Sequence, residues 1–214
     1  MLQTETVKRS TFELLKKLMN DEYLTDFILA GGTNLALQLG HRESIDLDLF
    51  TYKPFETEDI IEYLQKHFEL QIEMKKERNT IKGIIEDVKI DMIAHIYPLL
   101  KDPIIEEGIR MYSLPDIVAM KLGAISNNGT RLKDFVDITY LSTKMSLNEM
   151  LMCYAAKYPT SPIHALKSLA YFDDIDFSTS ISLCNGKKFS WKKIEQHIRD
   201  MIKFENKVFE TPPI

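Results

Sequence analysis

Phe27 to Phe50, FILAGGTNLALQLGHRESIDLDLF, is the stretch whose reading decides the fold. Phe27-Ile28-Leu29-Ala30 is a short apolar run that ends at Gly31-Gly32, the pattern of a buried strand delivered into a tight turn. Thr33 to Leu39 then has the composition of a short helix. With no Cβ at Gly31 or Gly32, a phosphate can approach the N–H groups that open this helix, where the peptide dipoles favour negative charge. Ile45 to Phe50 alternates with period two, which predicts a strand with Ile45, Leu47 and Leu49 on one face and Asp46 and Asp48 on the other. The two carboxylates point the same way, about 6.6 Å apart along the backbone. Like charges that close disfavour each other unless a cation sits between them, and hard oxygen donors in small number suit Mg²⁺. An ordinary strand with two solvent-facing aspartates after a tight turn would carry the same text.

The remaining composition sets bounds. A chain of 214 residues with 44% hydrophobic and 28% charged residues can bury a sizeable core and fits an ordinary globular protein. The formal net charge of -5 argues against a surface that is basic throughout, as a general nucleic-acid trap would be, but leaves room for a local basic groove. Cys153 and Cys184 form no C-x-x-C pattern, so neither a disulfide framework nor a structural zinc site is expected, and a reducing cytoplasm fits best. The N-terminal stretch has no apolar targeting segment, and no run is long enough to span a bilayer, so no membrane association is expected.

Taken in order, Ser10 and Glu13 form a capping-box pattern ahead of Phe12, Leu14, Leu15, Leu18 and Met19 at helical spacing, predicting a first helix to about Tyr23. Pro54 breaks the chain, and Thr57 can cap a helix through Ile60, Ile61, Leu64 and Phe68, which serves as a crossover. Three strands follow, over Leu70 to Lys75, Ile81 to Ile85 and Val88 to His95, and their short turns predict an antiparallel meander. The third places Val88, Ile90 and Met92 on one face and Lys89, Asp91, Ile93 and His95 on the other. Taken alone, Asp91 has the pattern of an edge-strand aspartate facing water. Pro98 to Gly108 is expected to be a loop that divides an α/β domain, residues 1–100, from a helical domain, residues 108–214.

In the second half Ser113, Pro115 and Asp116 start a helix in which Lys121 falls within the stripe of Ile117, Val118, Leu122 and Ile125. A lysine there can snorkel to water or aim at a bound phosphate. Ser126 to Gly129 is expected to be a loop. Arg131-Leu132-Lys133-Asp134 then opens a helix whose buried stripe is Phe135, Ile138 and Leu141, with Asp134 and Asp137 one turn apart. Such a cluster is most often a solvated, self-paired helix start. Ser146 with Glu149 begins the next helix, and two more amphipathic helices follow. Asp173, Asp174 and Asp176 form an acidic loop without the glycine and glutamate of a calcium loop. Lys187, Lys188, Lys192, Lys193 and Arg199 make a basic edge, either ordinary surface or an RNA-facing rim.

Gly31-Gly32 followed after thirteen residues by Asp46-Leu47-Asp48 resembles the signature of the nucleotidyltransferase superfamily. The longer text GGTNLALQLGHRESIDLDLF is similar to the AbiEii/AbiGii toxin family, which includes the MenT-type nucleotidyltransferase toxins. AMKLGAI (119–125) and RLKDFVDITYL (131–141) look like its lysine-bearing helix and its KDF segment. The resemblance implies an α+β fold with a polymerase-β-like mixed sheet, followed by a C-terminal helical bundle that completes the active-site cleft. It implies nucleotidyl transfer from an NTP with Mg²⁺ or Mn²⁺. Asp46, Asp48 and Asp91 would hold metal. Gly31, Gly32 and Thr33 would cradle the triphosphate, Arg42 and Ser44 would orient it, and Lys121, Lys133 and Asp134 would act from the helical part, with Asp137 beside them. The further implications are a tRNA acceptor end as target and a separately encoded antitoxin as partner. A small-molecule or protein acceptor, and a non-catalytic nucleotide-binding module, stand as alternatives.

Overall fold

In a computed structural model that describes residues 1–73, 77–184 and 186–213, the chain forms two compact units, Met1–Tyr112 and Ser113–Ile214. The first is built on a mixed, seven-stranded sheet in the order β3-β4-β5-β2-β1-β7-β6. Its strands are β1 (Ile28–Leu29), β2 (Leu47–Thr51), β3 (Gln71–Ile72), β4 (Thr80–Ile85), β5 (Val88–Ala94), β6 (Ile104–Glu106) and β7 (Ile109–Met111). Three helices accompany them, α1 (Arg9–Asn20), α2 (Gly31–Leu39) and α3 (Thr57–Phe68).

Strand β2 is the hinge of the topology. It pairs antiparallel with β1 and parallel with β5, so α3 lies within the crossover that returns the chain to β2's open side. The predicted meander forms as β3-β4-β5, all antiparallel. Of its first strand only Gln71–Ile72 is paired, and Met74 and Lys75 lie outside the described residues. One face of the sheet is apolar across its central strands β2, β5 and β4. Leu47 and Leu49 on β2 lie beside Ile90 and Met92 on β5, and these beside Ile81 and Gly83 on β4. With Leu14, Leu15 and Leu18 of α1 and Ile60, Ile61 and Leu64 of α3 they make one core cluster. Each such side chain contributes about 1.5–3 kcal/mol on burial, which fixes the strand register because a one-residue slip would turn the apolar set outward.

Several local expectations give way to packing. Helix α1 starts at Arg9, which puts Ser10 inside its first turn; no side-chain cap forms, and Glu13 pairs with Lys16 at 2.8 Å instead. Thr57 is the first residue of α3 rather than its cap, and its hydroxyl accepts from the Asn79 N–H at 2.8 Å. Ile45 is 53% exposed, because the regular strand begins only at Leu47 while Ser44 bridges to Val7. The predicted Pro98–Gly108 loop contains β6, which pairs antiparallel with β7, and β7 extends the sheet by a parallel contact with β1.

The second unit is helical: α4 (Leu114–Asn127), α5 (Leu132–Leu141), α6 (Leu147–Lys157), α7 (Pro162–Leu169) and α8 (Trp191–Lys203). Ser113 caps α4 by accepting from the Asp116 N–H, and Ser146 with Glu149 forms a complete capping box on α6, both as predicted. Helix α4 runs to Asn127, through the first part of the stretch expected to be a loop. Phe135 anchors α5 in an aromatic cluster with Phe172 and Trp191. Among the described residues no helix is long and apolar enough to cross a membrane.

Candidate active site

The polar face of the first unit's sheet carries one row of functional side chains. The parallel register of β2 and β5 sets Asp48 directly beside Asp91, and the antiparallel register of β5 and β4 sets Asp91 beside Lys82. The row follows from sequence parity. Buried Leu47, Leu49, Ile90, Met92 and Ile81 occupy the opposite face, so their neighbours must share this one. Asp46 precedes the strand by one residue and lies two positions before Asp48.

Gly31 sits beside this row. Its φ is +64°, a conformation that L side chains rarely adopt, and a Cβ there would run into the carboxylate of Asp48. Gly32 is held by a second close approach: a Cβ would stand 2.5 Å from Arg42 Nη2 and 3.4 Å from Ser44 Oγ. The glycine pair therefore lets an acid and an arginine close on the first turn of α2. That helix includes both glycines rather than starting at Thr33, and its N-cap residue, Ala30, offers no side-chain cap. Its leading N–H groups have the geometry that suits an anion.

Thr33, Arg42 and Ser44 are all buried, and they secure this turn from within. Thr33 Oγ1 donates to the Asp46 carbonyl and lies 2.8 Å from Ser44 Oγ, which joins the helix to the segment entering β2. Arg42 Nη1 donates to the Glu43 carbonyl at 3.0 Å. Asn34, which sequence reasoning passed over, is fully buried and donates to the Leu29 and Tyr112 carbonyls at 2.7 and 3.1 Å, pinning α2 to the ends of β1 and β7. A polar residue next to a glycine turn in a short apolar helix was the available signal.

Asp46, Asp48 and Asp91 are hard oxygen donors, and Asp91 Oδ1 is buried without a hydrogen-bond partner in the structure. Lys82 Nζ stands 3.9 Å from its Oδ2. Among the described residues no set of three or more His, Cys, Asp or Glu side chains is spaced as a ready-made cage. The donor set instead fits an ion such as Mg²⁺, which takes one or two carboxylates and completes its shell with water and substrate oxygens.

In the second unit the residues singled out from the sequence converge differently. Lys121 does not snorkel. Its ammonium is buried and bonds Asp134 Oδ1 at 2.6 Å and Asp137 Oδ2 at 2.8 Å. Asp134 and Asp137 are buried too, so the expected solvated helix start is an internal ion cluster between α4 and α5. Lys133 is half-buried on α5 and Arg131 is exposed at its N-cap. A second buried pair was missed: Lys157 Nζ to Asp116 Oδ1 at 2.8 Å, with both side chains wholly buried. In the sequence Asp116 reads as a helix-start residue, and nothing marks Lys157 out. The acidic loop is solvated, with Asp173, Asp174 and Asp176 all exposed.

Comparison with known proteins bears on both units. The family model of the nucleotidyl transferase AbiEii toxin of type IV toxin–antitoxin systems matches residues 13–203. An uncharacterized protein of Aquifex aeolicus is 33% identical over 175 residues, which are 78% of this chain and 84% of that one. A crystal structure of a Helicobacter pylori protein described as a candidate nucleotidyltransferase superposes with a TM-score of 0.58 at 18% identity, over 92% of this chain and 95% of the other. A second H. pylori structure, JHP933, gives a TM-score of 0.55 at 16% identity over 92% of each chain. These structural matches share the fold.

Proposed function

The chain belongs to the AbiEii nucleotidyl transferase toxin family, and from that premise we propose that it transfers nucleotides from an NTP to the acceptor end of tRNA, with Mg²⁺ held by Asp46, Asp48 and Asp91. The observation that carries this proposal is the in-register pair Asp48 and Asp91, set on one sheet face beside Gly31. Two neighbouring carboxylates, one with an unpartnered buried oxygen, are costly to keep together unless a cation joins them.

When bound there, a divalent ion would supply charge neutralisation at the phosphates and activate the attacking oxygen. The chain's own residues do the rest. The N–H groups at the start of α2 receive the outer phosphates, and Gly31 and Gly32 admit them because no side chain intervenes. Thr33, Ser44 and Arg42 hold that turn in shape through the bonds described above. The acceptor hydroxyl attacks the α-phosphorus, the bond to the β-phosphate oxygen breaks, diphosphate leaves and the hydroxyl proton is released. For the second unit we assign Lys121, Lys133 and Asp134 to the same reaction on the family resemblance. Lys121 acts there through the carboxylates it orients, and Asp137 is its second anchor. A type IV family implies an antitoxin partner, and we place the reaction in the cytoplasm.

The test is to incubate purified protein with each labelled NTP, Mg²⁺ and total cellular RNA, beside Asp46→Ala. Label entering a tRNA-sized band with one NTP, and absent from the Asp46→Ala lane, is expected. Label absent with every NTP, while nucleotide plus metal still raises the melting temperature, would remove tRNA and leave a small-molecule or protein acceptor.

A further inference from the structure

The sheet register sets out a sequence of groups across four neighbouring strands: Lys82 on β4, Asp91 on β5, Asp48 on β2 and then Gly31, at the end of β1. Lys82 is the outermost and has no place in the function described so far. It is a cation on the polar face of a strand whose other outward residues there are Thr80 and Ile84. Its ammonium is 3.9 Å from Asp91 Oδ2, near enough for electrostatic attraction and beyond hydrogen-bond reach. Its side chain is 35% exposed, against 20% for Asp91. The pairing is therefore loose, and the ammonium keeps donors for another anion.

Direction follows from the reaction. Attacking and leaving oxygens lie roughly in line in a phosphoryl or nucleotidyl transfer. The turn at Gly31 and Gly32 takes the leaving end of the nucleotide, so the acceptor comes from the other end of the row, where Lys82 stands. A divalent ion shared by Asp48 and Asp91 would also take over the charge that Lys82 now balances.

Resting on the nucleotidyl-transfer assignment above, we propose that Lys82 is the acceptor-side cation of this site: it balances Asp91 while no metal is bound and turns to a phosphate of the acceptor strand once metal arrives. It is a binding and positioning residue. It also makes the site selective for an acceptor that carries a phosphate near its reactive hydroxyl, because a cationic small molecule would meet it as a like charge.

The test uses the full chain and a fluorescein-labelled single-stranded RNA oligonucleotide with a free 3′-hydroxyl, titrated by anisotropy at several salt concentrations with and without Mn²⁺. Mn²⁺ binding is followed separately by electron paramagnetic resonance. Wild-type protein is expected to bind the RNA more tightly when Mn²⁺ is added. Lys82→Gln is expected to bind it several-fold more weakly, to lose that response, and to lower the log–log salt slope by about one, while Lys82→Arg keeps wild-type behaviour. Lys82→Gln should also bind Mn²⁺ more tightly without RNA, since its competitor for Asp91 is gone. Lys82→Met, which keeps the apolar stem, serves if the glutamine variant fails to fold. RNA affinity and salt slope unchanged in Lys82→Gln would overturn the proposal, as would wild-type RNA binding that ignores Mn²⁺. Intact Mn²⁺ and NTP binding with no RNA binding at all would overturn it while leaving nucleotidyl transfer standing. A wild-type protein that binds no Mn²⁺ with any NTP would sink both.

Discussion

The two acidic clusters of this protein hold the same groups, two aspartates and one lysine, but differ in how closely these are drawn together and how deeply they are buried. On the sheet, Asp48 and Asp91 stand side by side with a lysine 3.9 Å away and a buried carboxylate oxygen unpartnered. In the helical unit, Asp134 and Asp137 close on Lys121 at 2.6 and 2.8 Å with all three side chains nearly dry. Each cluster sets two carboxylates against one lysine, and each leaves one buried carboxylate oxygen, on Asp91 and on Asp134, without a hydrogen-bond partner in the structure. They differ in closeness: Lys121 contacts both of its carboxylates at hydrogen-bond distance, whereas Lys82 stands 3.9 Å from Asp91. A loosely paired, partly exposed site on rigid strands is suited to taking up a cation, while a tightly paired, buried network is suited to fixing helices.

Stability measurements should separate the two most sharply at Lys121. Lys121→Met leaves two carboxylates in an apolar interior, and breaking a buried ion network of this kind costs about 3–5 kcal/mol. Urea denaturation of the variant should show that loss. Replacing all three residues with apolar ones of similar volume should recover most of it, because no uncompensated charge remains. A triple variant that is stable and still transfers nucleotides would break the comparison by making the helical cluster purely structural. One that is stable and inactive would sharpen it.

A smaller cost is expected at the glycine turn. Gly31→Ala puts a Cβ at φ +64° and into the Asp48 carboxylate, so both the backbone and that acid must shift. About 1–3 kcal/mol of stability should be lost. Mn²⁺ affinity should fall with it, since Asp48 is displaced; unchanged metal binding would mean that Asp48 is not a ligand.

At Asp91 the expectation for stability is close to zero. Asp91→Asn removes a loose, partly exposed pair with Lys82, worth about 0.2–1 kcal/mol, and relieves repulsion from Asp48. Its melting temperature without metal should match that of wild type, while the rise on adding Mn²⁺ and NTP should vanish. A large loss without metal would make Asp91 another internal structural acid.

This contrast was half legible in the sequence. Period-two alternation gave the faces of β2 and β5, and with them the common side of Asp48 and Asp91, because strand parity is a local property; at Ile45 and Asp46, ahead of the regular strand, it no longer applies. It could not give the neighbour of each strand, so Lys82 beside Asp91 appeared only with the register. The helical cluster was harder still. Helical spacing put Lys121 in an apolar stripe, but whether such a lysine reaches water, a phosphate or a buried acid depends on which helix packs against it. The same gap hid Lys157 with Asp116, residues 41 apart in sequence. Strand β6 escapes the sequence pattern because Pro103 and Glu107-Gly108 bracket only three paired residues, held by β7 rather than by their own propensity.

The smallest expected effect concerns a third polar group of the helical unit, His197, and it asks whether the closed clusters there leave any titration exposed to ordinary pH. His197 Nε2 lies 2.7 Å from Ser142 Oγ, and its ring packs on Phe209. Burial pushes its pKa below the usual histidine value; the Lys207 ammonium also lowers it, while Asp200 opposes the shift. A histidine depressed in the folded state binds its proton more readily in the unfolded one, so stability is fully present above the unfolded pKa of about 6.5 and falls as pH drops through it toward the folded value. Thermal melts between pH 7.5 and 5 should show a gradual decline that His197→Gln flattens. If the decline persists undiminished in His197→Gln, the buried imidazole is not the group whose protonation the fold resists, and its contact with Ser142 is a packing contact alone.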